Sequence, residues 1–308
     1  AEGRKHRSIP ASRGMTALHE VSLAIFPQSI QSSVSKPTIG IRPMTVTPDT
    51  VIDTGTEELH CVVRERVAII TLNRPHEMNA LSREMKSELV DCFTSLEDDD
   101  AVRAVILTGG DYFFSAGMDL KEMEAIRDEE IDDYFALIAR YLQKIFAFRK
   151  PVIAAVGGIA LGGGFNLATV CDLIVASESA IFGHPELKFG LNPLFNPINR
   201  LVGTAKAKEI TMLGEPIGAM EALRIGLVNK VAPPDRFMEE ARVMARELAA
   251  RPPKAVEAVK RISEVAPFLD KSSALGYEFE MSALLFSRAE RKESMRQFLE
   301  ELKQKKKK

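Results

Sequence analysis

Pro151-Val-Ile-Ala-Ala-Val-Gly-Gly-Ile-Ala-Leu-Gly-Gly-Gly-Phe-Asn-Leu-Ala168 is the stretch on which the fold of this chain turns. Its opening apolar run, ended by Gly157, has the pattern of a strand covered on both faces. Three glycines, Gly162, Gly163 and Gly164, then lead into a helical segment. Glycine at a strand-to-helix turn lets a ligand come close to the backbone. The first N–H groups of the new helix have no intrahelical acceptor. With the positive end of the helix dipole behind them, they favour negative charge, including a negative oxygen that forms in a transition state. The competing reading is that the glycines serve only tight helix–sheet packing. No Gly-Lys-Ser/Thr ending is present, so the turn is not a P-loop. No G-x-G-x-x-G with a downstream acidic residue is present, so it is not a dinucleotide fingerprint either.

On both sides of this stretch the pattern alternates between strand and helix. Val67–Leu72 reads as a strand, and Ser82 caps a helix to about residue 96 with Met85, Leu89, Phe93 and Leu96 on one face. Residues 102–107 read as a buried strand ended by Gly109 and Gly110. A loop follows, then a helix over about 131–146, the strand 151–156, the glycine turn, a strand over 173–176, and a helix over 204–213 closed by Gly214. This alternation predicts an α/β fold with covered sheets. From Pro233 onward strand patterns vanish, and helices are expected over 236–250, 253–263 and 272–303, followed by a solvated lysine tail.

Composition narrows the function. The chain has 308 residues, 45% of them hydrophobic, enough for a large buried core. A net charge of −2 gives no basic field for nucleic acid. Cys61, Cys92 and Cys171 have no C-x-x-C partner and read as buried, reduced thiols of an intracellular protein. Five scattered histidines suggest no metal site, and no apolar run reaches membrane-spanning length. Residues 1–55 are rich in Ser, Pro, Thr and Arg and show no sustained period; their one apolar patch is Val21-Ser-Leu-Ala-Ile-Phe26. They read as an irregular N-terminal extension, with Met44 a candidate natural start. A cytoplasmic location is expected, or a mitochondrial one if residues 1–43 form a transit segment.

Taken in order, the motifs resemble the crotonase (enoyl-CoA hydratase/isomerase) superfamily. They are Asn73-Arg-Pro, Met78-Asn-Ala-Leu81, Leu107-Thr-Gly-Gly, Phe114-Ser-Ala-Gly-Met-Asp-Leu120, the stretch from Lys150 to Gly164, Cys171-Asp172, Phe182-Gly-His-Pro-Glu186, Gly190, Gly214-Glu-Pro-Ile217, Glu221-Ala and Gly226-Leu-Val228. The resemblance runs from about Leu59 to the C-terminus. Each motif alone is weak; the ordered set is specific. It implies a crotonase-like ββα spiral over 56–232 and a C-terminal helical trimerisation region over 233–308. It also implies an acyl-CoA thioester substrate, a homo-oligomer (trimer or hexamer), and no cofactor beyond the coenzyme A of the substrate. No metal, nucleic acid or membrane partner is expected.

The resemblance further implies an oxyanion hole for a thioester enolate, formed by the N–H groups of Met118 and Gly163. Ala116, Gly117, Gly162 and Gly164 flank these donors and are candidate substrate-binding positions. Hydratases of the superfamily use two glutamates. The second is Glu186 here, but the first position is Asn166, which cannot give or take a proton at neutral pH. Isomerases that move a double bond work with one carboxylate, so Glu186 as acid/base favours double-bond isomerisation or an atypical hydration. Leu194 and Phe195, in Gly190-Leu-Asn-Pro-Leu-Phe-Asn-Pro-Ile-Asn-Arg200, are expected to shape the acyl pocket. Asn192 and Asn196 are within its reach, and Asn196-Pro197 has the pattern of an N-cap pair. Lys121 and Arg74 are candidate contacts for coenzyme A phosphates, against the plainer reading of solvated charges. Asp119 and Asp172 read as loop anchors, and His184 as either a packed polar residue or a neighbour that tunes Glu186. Phe286 and Phe298 read as packing or subunit contacts on the last helix. Other superfamily reactions (thioester hydrolysis, decarboxylation, C–C cleavage) and a catalytically silent binding or scaffold role remain alternatives.

Overall fold

The computed structural model describes residues 49–305; the patch at 21–26, most of the N-terminal extension and the last lysines lie outside that span. Among the described residues there are eleven strands: β1 Thr50–Ile52, β2 Leu59–Arg64, β3 Val67–Leu72, β4 Ala104–Thr108, β5 Phe113–Ser115, β6 Val152–Val156, β7 Ile159–Leu161, β8 Leu173–Ser177, β9 Ile181–Gly183, β10 Ile217–Gly218 and β11 Lys230–Ala232. The α-helices are α1 Arg83–Glu97, α2 Leu120–Ala125, α3 Ile131–Phe146, α4 Gly163–Thr169, α5 Asn196–Val202, α6 Thr204–Leu213, α7 Ala219–Arg224, α8 Phe237–Ala249, α9 Pro253–Val265, α10 Lys271–Phe286 and α11 Ala289–Lys305.

The strands form two sheets. The larger has the order β1-β2-β3-β4-β6-β8-β11 and the smaller β10-β9-β7-β5. The larger sheet is parallel from β3 to β11, and β5, β7 and β9 are parallel in the smaller. The chain therefore lays a strand in the large sheet, then a strand in the small one, then helix, and repeats: β4 and β5, β6 and β7, β8 and β9. This is the ββα spiral that the resemblance implied.

Apolar alternation fixes the layers. Val105 and Leu107 of β4, with Val152, Ala154 and Val156 of β6, join the main core under α1 and α3. Their neighbours Ala104, Ile106, Ile153 and Ala155 face the other way, onto Phe237, Ala241, Ala245 and Ala249 of α8. Period-two side chains on a strand buried on both faces produce this split. The alanine stripe of α8 recurs every four residues, on one helix face.

Several details differ from the sequence reading. Thr50–Ile52, inside the segment read as irregular, pairs antiparallel with β2. The helix expected over 272–303 is two helices, because α10 ends at Phe286 and α11 begins at Ala289. Asn196 is the first residue of α5, not its cap, and no side chain caps that helix. The smaller sheet was not anticipated; its strands have two or three residues each, too short to show a period.

Candidate active site

Two turns that follow strands of the smaller sheet face each other. The first follows β5. Ser115 Oγ donates to the Asn79 carbonyl (2.7 Å) and accepts from the Gly117 N–H (3.1 Å). The Ala116 N–H donates to the Met78 carbonyl (3.0 Å) and the Leu81 N–H to the Gly117 carbonyl (2.7 Å). Asn79 holds the segment from outside: its Nδ2 donates to the carbonyls of Gly109 and Phe113, and its Oδ1 accepts from the Arg74 N–H. Gly117 has φ +106°, outside the range of side-chain-bearing residues. Asp119 then caps α2, accepting from the N–H groups of Lys121 and Glu122.

The second turn follows β7. The Gly162 N–H donates to the Gly183 carbonyl (2.9 Å), and Gly162 adopts φ 52°, ψ −121°, a conformation that needs glycine. Gly163 begins α4. A Cβ on Gly163 would lie 3.4 Å from the Met118 nitrogen and 2.9 Å from Met118 Cε. The two backbone segments therefore face each other. Neither the Met118 nor the Gly163 N–H has an acceptor among the described residues. Gly164 serves packing: a Cβ there would meet the Ser115 carbonyl at 2.2 Å.

Glu186 completes the cluster. It begins a short 3-10 turn after β9, and its side chain is 18% exposed. Its Oε1 lies 3.3 Å from where a Cβ of Gly162 would sit, so the carboxylate rests on the glycine turn. His184 is paired with it, Nδ1 lying 3.1 Å from each carboxylate oxygen. Asn166, one turn into α4, is 5% exposed, and its Oδ1 is buried without a partner among the described residues. The structure thus gathers Met118, Gly117, Gly162, Gly163, Ser115, Glu186 and His184 into one place.

The remaining candidates are elsewhere or otherwise engaged. Lys121 is 82% exposed and paired with Glu77 at 3.2 Å. Arg74 is held by Glu58 at 2.8 Å and Asp119 at 3.0 Å, so its guanidinium braces the first turn. Burial alone would raise the Asp119 carboxyl, but the N–H groups of Glu122 and Lys121 and the Arg74 guanidinium hold it below the usual carboxylate range. Asp172 anchors β6 and α9, accepting from the Val152 N–H (2.7 Å) and Lys260 Nζ (2.8 Å). Burial raises its carboxyl despite Lys260. Leu194 lines a mainly apolar cavity of about 540 Å³ between α3, α5 and the end of α4, with Phe135, Leu142, Phe146 and Val170. Neither Phe195 nor Glu186 lines it. Asn192 and Phe195 lie at the surface, as do Phe286 on α10 and Phe298 on α11.

Sequence reading gave no role to three residues that build the site's surroundings. Asn79 and Ser115 stitch the first turn, and the motifs Met78-Asn-Ala-Leu81 and Phe114-Ser-Ala-Gly-Met-Asp-Leu120 were their signals. The third is Lys86 of α1, which is 0% exposed. Its Nζ donates to Tyr134 Oη (3.3 Å), stands 4.4 Å from that ring's centre and lies 3.9 Å from Glu122. Burial pushes its ammonium down to about 8, with Glu122 opposing the shift. All three cysteines are buried and free. Among the described residues there is no cluster of three or more His, Cys, Asp or Glu that could hold a metal. No described helix is long and apolar enough to cross a membrane.

Residues 63–308 match the family model described as enoyl-CoA hydratase/isomerase. The chain is 38% identical over 253 residues to the short-chain-enoyl-CoA hydratase of Clostridium acetobutylicum, covering 80% of this chain and 97% of the relative. It is also 38% identical over 243 residues to the crotonyl-CoA hydratase of Syntrophomonas wolfei, covering 78% and 94%. Among solved structures, an enoyl-CoA hydratase of Mycobacterium smegmatis superposes with TM-score 0.76 at 33% identity, covering 80% of this chain and 97% of that one.

Proposed function

The chain belongs to the enoyl-CoA hydratase/isomerase family, and we propose that it acts on an acyl-CoA thioester through an enolate, with Glu186 as its proton carrier. The observation that carries the reading is the contact between Glu186 and Gly162. It sets a carboxylate 3.3 Å from the Cβ position of a turn whose next residue, Gly163, lies against Met118 and has no acceptor for its N–H among the described residues. A thioester oxygen between the two N–H groups would place its α-carbon near that carboxylate. Glu186 takes a proton from the α-carbon, the C–H electrons move onto the thioester oxygen, and the two N–H groups stabilise the resulting charge. One such donor contributes ~3–4 kcal/mol to the transition state.

For a β,γ-unsaturated thioester, return of the same proton to the γ-carbon leaves the double bond between the α- and β-carbons. One carboxylate suffices for this shift, and Asn166 in place of a second carboxylate supports it. A second reading rests on the names of the relatives, which are hydratases. In it Glu186 takes a proton from a water held by Asn166, the hydroxide adds to the β-carbon, and Glu186 returns the proton to the α-carbon. Coenzyme A enters as part of the substrate, with no further cofactor.

A panel of saturated, α,β- and β,γ-unsaturated acyl-CoAs analysed by mass and chromatography tests the proposal. Isomerisation changes retention without mass; hydration adds one water; no change with any thioester would refute both.

A further inference from the structure

We infer that His184 is a positioning residue for Glu186, holding the carboxylate over the glycine turn by donating a proton from Nδ1. His184 is fully buried, and its Nδ1 is the same distance, 3.1 Å, from both oxygens of Glu186. Its Nε2 is buried with no hydrogen-bond partner among the described residues. These two facts choose the tautomer. With the proton on Nε2, an N–H would be buried unpaired and the Nδ1 lone pair would face a carboxylate. With the proton on Nδ1, a charge-assisted hydrogen bond forms, and only an acceptor lone pair is left over, the less costly orphan.

The ring itself is fixed by packing. Its centre is 4.8 Å from that of Phe165 at an interplanar angle of 36°, and Phe165 lies 5.6 Å from Phe182 of β9. Phe165 sits on α4, the helix whose first residue is Gly163. A single stack thus ties the donor helix to the carboxylate's neighbour. Glu186 begins a short 3-10 turn and has no other side-chain hydrogen bond among the described residues. Without His184, its carboxylate is free to swing toward solvent, and misplacement of a reacting group by 1 Å costs ~10²-fold.

The inference rests on Glu186 as the base, so the test separates the two claims. The probe is butanoyl-CoA in D2O, followed by mass for exchange of its α-protons, with its Kd measured calorimetrically. His184→Phe keeps the ring and its stacking but removes the donor; His184→Asn keeps a donor near the position of Nδ1. The expected result is a ~10–10²-fold fall in saturated exchange rate for His184→Phe. Its Kd should stay within about twofold of the parent and His184→Asn should keep most of the rate. If His184→Phe does not fold, His184→Leu carries the same expectation. Unchanged exchange in the donor-free variant, equal losses in both variants, or a loss confined to Kd would overturn the role. Glu186→Gln is the control. If it abolishes exchange while His184→Phe does not, only the His184 inference fails. If Glu186→Gln exchanges normally, or the parent enzyme does not exchange at all, the reading of Glu186 fails and the inference with it.

Discussion

The amide nitrogen of Gly163 lies 3.1 Å from the point where a side chain on Gly117 would begin. Two turns more than forty residues apart in sequence therefore meet with no room for a methyl group, and both carry candidate oxyanion donors. Gly117→Ala would put that methyl 2.8 Å from the Leu161 carbonyl, at a φ of +106°. We expect the turns to part and turnover to fall by ~10²–10³, the cost of losing one donor. Retention of wild-type turnover by a folded Gly117→Ala variant would show that the N–H groups are not aligned for this task.

Asn166→Glu restores the pair of carboxylates found in hydratases. It should raise water addition to a short α,β-unsaturated acyl-CoA, measured by mass. The gain will be limited, because two close carboxylates raise the pKa of at least one of them. A fall in hydration with no change in isomerisation would mean that Asn166 already serves the water.

Lys86 gives a pH signature of stability. Burial lowers its pKa from 10.5 to about 8, so the unfolded chain binds more protons at this site between those values. Stability contributed at the site is therefore lowest below pH 8 and rises toward pH 10.5. In denaturant unfolding, Lys86→Met should be favoured over the parent at neutral pH. The parent should then close the gap by on the order of 3 kcal/mol as pH rises through this window. A difference between the two proteins that does not change with pH would contradict a charged, desolvated lysine.

The C-terminal helices expose Leu275, Phe279 and Phe286 on α10 and Met295, Phe298 and Leu299 on α11. Apolar surface of this extent on adjoining helices is the kind that a subunit interface covers. We expect a trimer or hexamer in analytical ultracentrifugation, weakened by Phe279→Glu. A fully active monomer at working concentration would contradict this.

The long buried strands β3, β4 and β6 and the amphipathic α1 and α3 were legible because each carries a run long enough to show its period. Ile159–Leu161 and Ile181–Gly183 were not, because three residues between glycines and turns show no period at all. At the site, Glu186 and Met118 were proposed from motif order, and Gly163 from the strand-to-helix glycine turn as well. Their convergence was implied only by the resemblance, because it depends on β5, β7 and β9 lying side by side in a sheet no sequence period announced. Arg74 illustrates the same limit. As a cation near the motifs it read as either a phosphate contact or a solvated charge, but its partner Asp119 lies 45 residues away, and the pair braces the turn instead. Lys86 was hidden because it adjoins the apolar face of its helix, where a lysine ordinarily reads as solvated.

The most direct measurement is α-proton exchange of butanoyl-CoA in D2O by the parent enzyme and Glu186→Gln, with thioester binding measured alongside. The account predicts deuterium incorporation by the parent and a ~10²–10⁴-fold slower rate for Glu186→Gln. Binding should be nearly unchanged, because the N–H groups of Met118 and Gly163 remain. Exchange by Glu186→Gln at the parent's rate, or none by a parent enzyme that binds the thioester, would contradict it.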